Sequence, residues 1–315
     1  MIYKEVEGRL GNQLFQYATV KAYKKKFDLN DTIYLDFSKV IKKYGINDYN
    51  QLKFFNINDY KEINKNPSSF LQKIIFSIYK INYLFIKIIS FNKNYFIRKY
   101  KYEKIVQPIL NRNGLYCFTN GYYDFPLSKS KVKYFRGFFE SSKYFNNIRD
   151  DLIEEITPKY RKLKSNKSLY NIIEKNNSVC ISIRRGDFIT NEKYNKKYYV
   201  CDENYFEEAI KIIKKRVKNP YFIVFSDDIF WCKENLKFPK NTFFEKGDDP
   251  IWEKLRLMYS CKHFIISNST FSWWAQYLSQ NNNKIVVAPS KWGNISYKKN
   301  DKIDIFENNW IFVER

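Results

Sequence analysis

Ser178-Val-Cys-Ile-Ser-Ile-Arg-Arg-Gly-Asp-Phe-Ile-Thr190 is the stretch that decides how this chain folds. Val179, Ile181 and Ile183 alternate along it, which predicts an extended strand with one apolar face. The strand runs straight into Arg184, Arg185, Gly186 and Asp187. A buried strand ending in a charged loop is the pattern of an open α/β sheet, where ligands bind beyond the carboxyl ends of strands. Two adjacent guanidinium groups repel unless an anion lies beside them. A diphosphate meets that need through bidentate, charge-assisted bonds. Gly186 lets the backbone turn, and Asp187 is placed to orient an arginine or accept a proton. Alone, the loop is also readable as a surface turn with two solvated arginines.

The pattern repeats outward from that strand. Downstream, a tyrosine-bearing loop (Tyr194, Tyr198, Tyr199) precedes a helix at 203–218 and a wholly apolar strand at 221–225, which ends in Ser226-Asp227-Asp228. A helix at 229–236, a strand at 241–244 and a helix at 251–261 follow. Phe264-Ile-Ile ends in Ser267-Asn268-Ser269-Thr270, a helix begins at Phe271, and 284–289 is one more strand. Strand and helix alternate throughout, which predicts a parallel sheet with its polar strand ends on one edge. Arg184 and Arg185 then neutralise phosphates. Ser269 and Thr270, at a helix start, offer hydroxyls and amides to an anion. Asp227 and Asp228 either accept from base or ribose donors or merely cap a helix. Ser226 and Asn268 complete the candidate nucleotide-binding set.

Upstream, a strand at 2–6 leads into Gly8-Arg9-Leu10-Gly11-Asn12-Gln13, then Leu14, Phe15, Tyr17, Ala18 and Ala22 at helical spacing. This is strand, glycine turn, helix. Asn12 and Gln13 at the helix start present free amides to a ligand or simply cap the helix. A strand is expected at 33–37, irregular chain at 51–69, strands at 115–118 and 133–140, and a helix at 142–156. Pro158 and the polar, lysine-rich run after it mark a boundary between domains 1–160 and 161–315.

Residues 70–104 stand apart. Phe70, Leu71, Ile74, Ile75, Ile78, Ile81, Leu84, Phe85, Ile88 and Ile89 form an apolar helical insertion, with Lys73, Ser77, Lys80 and Lys87 on one narrow stripe. Lysines recurring every seventh residue argue against a membrane span. Two readings stay open: a helix buried on most of its circumference, or one lying on an anionic leaflet with its lysines snorkelling.

The 315 residues suffice for two domains, and 44% hydrophobic content supplies a core. The formal charge of +23 favours anionic partners. A nucleic-acid-binding protein is the competing class, but lysines scattered without a repeated aromatic platform speak against it. Cys117, Cys180, Cys201, Cys232 and Cys261 lie far apart, and His263 is the one histidine, so neither a zinc site nor a disulfide framework is expected. Met1-Ile-Tyr-Lys-Glu reads as a strand start and not a signal peptide, so a reduced, cytoplasmic setting is expected.

Four motifs in order, Gly8-x-x-Gly11-Asn12-Gln13-Leu14-Phe15-Gln16-Tyr17-Ala18, Ile183-Arg184-Arg185-Gly186-Asp187-Phe188, Phe225-Ser226-Asp227-Asp228 and Ser267-Asn268-Ser269-Thr270-Phe271-Ser272-Trp273-Trp274, resemble those of the α-1,2-fucosyltransferases of glycosyltransferase family 11. The resemblance implies a GT-B-type pair of Rossmann-like α/β domains whose parallel sheets face a cleft. It also implies GDP-β-L-fucose as donor, inversion at the sugar and no required metal. Domain 1–160 would meet the acceptor, a galactoside on a cell-surface or lipid-linked glycan, and domain 161–315 would hold the GDP-sugar. Arg184 and Arg185 would contact the donor diphosphate, Asn12 and Arg9 would touch donor or acceptor, and Asp187 is the candidate general base. The enzyme would work in the cytoplasm, at the inner face of the plasma membrane if 70–104 lies on lipid. Two departures stand out: Ser182 occupies a position where the family usually has histidine, and Gly8-Arg9-Leu10-Gly11 looks more like the Gly-Arg-Phe-Gly of protein O-fucosyltransferases. Residues 45–165 match no motif, and a different GDP-sugar stays open.

Overall fold

The computed structural model describes residues 1–47, 49–89, 95–119, 121–294, 297–298 and 304–314. The chain divides into two compact units, Met1–Ile156 with Lys302–Ile305, and Thr157–Asp301 with Phe306–Arg315.

The first unit runs β1 (Ile2–Glu5), α1 (Leu10–Lys26), β2 (Ile33–Asp36), α2 (Ser38–Tyr44), β3 (Lys61–Glu62), α3 (Phe70–Ile89), α4 (Tyr95–Arg112), β4 (Leu115–Cys117), β5 (Lys133–Arg136) and α5 (Arg149–Glu155). Its five strands are all parallel in the order β3-β2-β1-β5-β4. β1 is central, which is why Ile2 and Tyr3 are buried. The helix expected over 142–156 is only α5. Two 3-10 turns, Ser142–Tyr144 and Asn146–Ile148, precede it. The Ser141 side chain accepts from the Lys143 amide, and Phe145, at φ −141°, interrupts helical backbone.

Of the two readings left open for this segment, α3 rules against a helix buried on most of its circumference. It starts at a capping box: the Gln72 amide donates to Ser69 Oγ (3.2 Å) and the Ser69 amide to Gln72 Oε1 (3.0 Å). Gln72 is buried, and its Nε2 donates to the carbonyls of Asn113 (2.8 Å) and Val132 (2.9 Å). Deeper in, Glu103 of α4 accepts from the Tyr79 hydroxyl (3.0 Å) and the Thr119 amide (3.0 Å). These polar ties fix which face of α3 points inward. Phe76 and Tyr79 share that face, whereas Phe70, Ile78, Ile81, Leu84, Phe85 and Ile88 are 53–80% exposed. The basic run beyond α3 proved helical too, as α4.

The second unit contains α6 (Lys167–Lys175), β6 (Asn177–Ile183), α7 (Gly186–Thr190), α8 (Glu192–Tyr198), α9 (Glu203–Arg216), β7 (Pro220–Ser226), α10 (Ile229–Asn235), β8 (Thr242–Phe244), α11 (Ile251–Ser260), β9 (His263–Ile266), α12 (Thr270–Leu278), β10 (Val286–Pro289), the paired β11 (Lys291–Gly293) and β12 (Tyr297–Lys298), and β13 (Ile311–Val313). Six strands form a parallel sheet in the order β13-β10-β9-β6-β7-β8. β6 sits between β7 and β9, with Cys180 opposite Ile223 and Phe264. Its inward residues Val179, Ile181 and Ile183 join Tyr205, Phe206 and Ile213 of α9 in one core. The tyrosine loop is mostly helical, as α7 and α8. Asn191 caps α8 by accepting from the Tyr194 amide (3.1 Å). All five cysteines are free and buried. His263 Nδ1 accepts from the Ile285 amide (3.1 Å), a structural use, and burial pushes its pKa down. Both units are thus α/β with a parallel main sheet, Rossmann-like building blocks of the GT-B kind, the second carrying the small antiparallel β11–β12 pair beside it.

Candidate active site

In the second sheet the chain steps from β6 to β7 and β8 on one side. It then crosses back to lay down β9, β10 and β13 on the other. The order reverses between β6 and β9, and ligands of open α/β sheets bind outside the carboxyl ends at such a switch point. Arg184 and Arg185 leave β6 there, and Ser267 to Thr270 leave β9.

The next strand end organises the arginines. Arg184 Nη1 bonds Asp227 Oδ2, and the Arg185 amide donates to Asp227 Oδ1 (2.8 Å). Arg185 Nε reaches Asp228 Oδ2 at 3.4 Å, and its guanidinium lies over the Trp231 ring, 3.3 Å from the centroid. Its terminal nitrogens carry no partner among the described residues. A Cβ at Gly186 would stand 2.5 Å from Asp227 Oδ2, so any other residue there would displace that carboxylate. Asp228 Oδ1 also caps α10, accepting from the Trp231 amide (3.1 Å), and Ser226 Oγ accepts from the Asp228 amide (3.0 Å). Asp228 thus takes the capping role, one of the two readings open to it, and both carboxylates contact the arginines. They hold the arginines, and Ser226, buried, braces their turn. With Arg184 and Asp227 25% and 28% exposed, solvent screens that pair, and such ion pairs contribute about 0–1 kcal/mol. Charge-assisted bonds from phosphate contribute about 1.5–3 kcal/mol each.

Across the switch point, Ser269 and Thr270 are half-buried at the start of α12, which no side chain caps. A helix start with unmet amides favours an anion. Asn268 behaves otherwise. It is buried, and its Nδ2 donates to the carbonyls of Tyr198 (2.8 Å) and Trp292 (3.0 Å), so it ties α8 to β11 as a strut. Ser182 is buried too, with its Oγ 2.6 Å from Ser272 Oγ of α12. The serine that departs from the family's histidine thus joins β6 to the helix at the site. Asp187 has its backbone in α7, but its side chain lies outside the described residues.

The first unit offers a second polar edge after β1. Gly8, at φ +84°, needs glycine, since a Cβ would meet Asn12 Nδ2 at 2.4 Å. Asn12 Oδ1 is buried with no hydrogen-bond partner among the described residues. Gln13 does not present a free amide as expected. It is buried, donating to the carbonyls of Gly8 (3.2 Å) and Tyr49 (2.8 Å) and accepting from the Gln51 amide (3.0 Å). Gln16 clamps the same loop through the Glu7 amide (3.0 Å) and carbonyl (2.6 Å). Arg9 is exposed, its guanidinium 5.3 Å from the Tyr44 ring centroid. Beside this loop Lys39 bridges Glu5 (2.6 Å) and Glu7 (2.7 Å). Lys4 is fully buried and its pKa is pushed down to about 7 by that burial, with Glu7 and Glu5 pulling the other way. Sequence reading passed over Trp231 and this charged cluster, and gave Gln16 no role beyond its place in the first motif. Trp231 alone left a signal, standing three residues past Asp228 at the position a helix cap addresses. Among the described residues no group of three acidic, histidine or cysteine side chains is placed to hold a metal ion.

A parallel α/β sheet with a cationic edge at its switch point defines the nucleotide-binding α/β class. The chain belongs to glycosyltransferase family 11, whose family model, "Glycosyl transferase family 11", matches residues 1–314. It is a glycosyltransferase, taking a nucleotide sugar as donor and a glycan as acceptor. It is 31% identical to an alpha-1,2-colitosyltransferase of Escherichia coli over 100% of this chain and 99% of that protein. It is 28% identical to the O-antigen biosynthesis glycosyltransferase WbnK of Escherichia coli over 98% and 99%. The human galactoside alpha-(1,2)-fucosyltransferase 1 shares 33% identity over 32% of this chain and 28% of its own. Among solved structures, the fucosyltransferase NodZ from Bradyrhizobium aligns with a TM-score of 0.49 and 11% identity, over 87% of this chain and 91% of that one. Among the described residues no helix is long and apolar enough to cross a membrane.

Proposed function

We propose that the chain transfers L-fucose from GDP-β-L-fucose to a galactoside hydroxyl on a cell-surface or lipid-linked glycan, with inversion and an α-1,2 linkage, at the cytoplasmic face. The observation that supports it is the β6 edge, where Arg185 is stacked on Trp231, on the same sheet edge as the uncapped start of α12 that follows β9. The acceptor hydroxyl attacks the anomeric carbon, its proton passes to a base, and the bond to the diphosphate breaks. Negative charge then grows on the leaving GDP. Arg184, Arg185 and the amides of α12 stabilise that charge from fixed positions, where electrostatic catalysis is strongest. Because the guanidinium groups supply the positive charge, transfer proceeds at full rate in EDTA. Asp187 takes the proton in this scheme. Asn12, with an unmet oxygen at the Gly8 turn, positions donor or acceptor.

Isothermal titration of GDP, GDP-fucose, GDP-mannose and UDP tests the donor. Binding of UDP but not GDP, or no binding at all, rejects the proposal. A colitosyl donor is the second reading, favoured by the full-length similarity to a colitosyltransferase. Transfer assays run side by side with fucosyl and colitosyl donors, with the product linkage read by NMR, decide between them.

A further inference from the structure

We propose that α3, together with Ile105 and Ile109 of α4, is a docking face for an anionic lipid bilayer. A surface helix ordinarily turns its apolar stripe to the core. α3 does the reverse. Its inward side is held by Gln72 and by the Tyr79–Glu103 bond, while Phe70, Leu71, Ile74, Ile78, Ile81, Leu84, Phe85 and Ile88 stay 41–80% exposed. At about 100° per residue these side chains cover an arc of roughly 140°. On the neighbouring α4, Ile105 and Ile109 are left uncovered as well, 75% and 64% exposed. The capping box and the Gln72 bonds fix the rotation of α3, so the apolar arc cannot roll inward.

Charge decides what covers it. From Ile63 to Tyr102 there is no aspartate or glutamate, while Lys65, Lys73, Lys80, Lys87, Lys93, Arg98, Lys99 and Lys101 fall in that span. The one acid of α4, Glu103, is buried. Lys73 and Lys80 are exposed along one rim of the arc, and the Lys80 ammonium rests 4.5 Å from the Phe76 centroid. A second copy of this chain would bring the same acid-free, basic face and so repel. An anionic bilayer satisfies both halves: acyl chains take the apolar arc and headgroups take the lysines. The helix then lies flat, which suits a transferase whose acceptor glycan is carried on lipid. That last step rests on the acceptor reading above, whereas the test reads only membrane binding.

Flotation of the full chain with vesicles tests the proposal. Wild type is expected to float with phosphatidylcholine vesicles containing one third phosphatidylglycerol, far less with phosphatidylcholine alone, and progressively less as salt rises. The double variant Ile81→Glu/Phe85→Glu, at exposed positions, is expected to lose more than tenfold in vesicle affinity. It should keep the wild-type melting temperature and GDP affinity. Lys73→Ala/Lys80→Ala is expected to weaken binding about fivefold per lysine and to erase the preference for phosphatidylglycerol. Absence of flotation at low salt overturns the proposal, as does undiminished flotation of the glutamate variant. A wild-type dimer that fails to float and that the glutamate variant converts to monomer assigns the face to a second copy instead.

Discussion

The two glycine turns, one after β1 and one after β6, solve the same problem with different chemistry. Each lets a strand enter a helix while another side chain occupies the space a Cβ would take, Asn12 at Gly8 and Asp227 at Gly186. The Gly8 turn is clamped by the neutral amides of Gln13 and Gln16. The Gly186 turn is clamped by carboxylates on two arginines. Neutral amide clamps are indifferent to salt and cannot be displaced by an anion. Ionic clamps at partial exposure are weak and salt-sensitive, and under the proposed function the donor diphosphate would exchange into them. The first turn is held by neutral amides, and the second by charges that salt can screen.

The largest test of that contrast is Arg185→Ala. Losing its phosphate bonds should lower GDP affinity and transfer by about 100-fold or more, with the melting temperature little changed. Near-normal titration of GDP by this variant would remove the ionic-clamp account. Next, Gly186→Ala should drive Asp227 off its arginine and cut transfer about tenfold. Gly8→Ala should lower stability by about 1–2 kcal/mol, since positive φ strains any side chain there; chemical denaturation paired with a transfer assay separates the two losses. A loss of stability of comparable size is expected of Gln16→Leu. It leaves the Glu7 amide and carbonyl unmet, for about 1–3 kcal/mol of stability, equal at low and high salt, while GDP binding at the second turn weakens as salt rises. An equal salt response at both turns would erase the distinction.

The finest test uses Lys4. Its folded pKa of about 7 lies below the ordinary 10.5, so between those values the unfolded chain binds a proton that the folded chain does not. Stability from this group therefore rises with pH across that window, and below pH 7 the full cost of burying the charge is present. Lys4→Met should raise the melting temperature by a few degrees at pH 6 and by less at pH 10. A pH-independent gain would show that Lys4 stays charged.

Much of this was legible because each strand of the second unit writes its own signal, an apolar run followed by a polar turn. Arg184, Arg185, Ser269 and Thr270 follow directly from that rule. What sequence hides is proximity between strands. That Asp227 holds Arg184 and the Arg185 amide shows only once β7 is laid beside β6. α8 has no apolar stripe and no buried residue, so no periodicity betrays it. The helix of residues 70–89 shows its two faces plainly, but which one turns inward depends on Gln72 finding Asn113 and Val132 far along the chain.

The buried free thiols make the molecule its own recorder of opening. Burial pushes Cys117 up to about 12 and Cys232 up to about 11, and Cys180 well above its ordinary value. A reagent that attacks thiolates must then wait for a unit to breathe. Cys117 belongs to the first unit and the other four to the second, so intact mass after timed alkylation distinguishes one adduct from four. Added GDP should slow the four and leave the single one on its own clock.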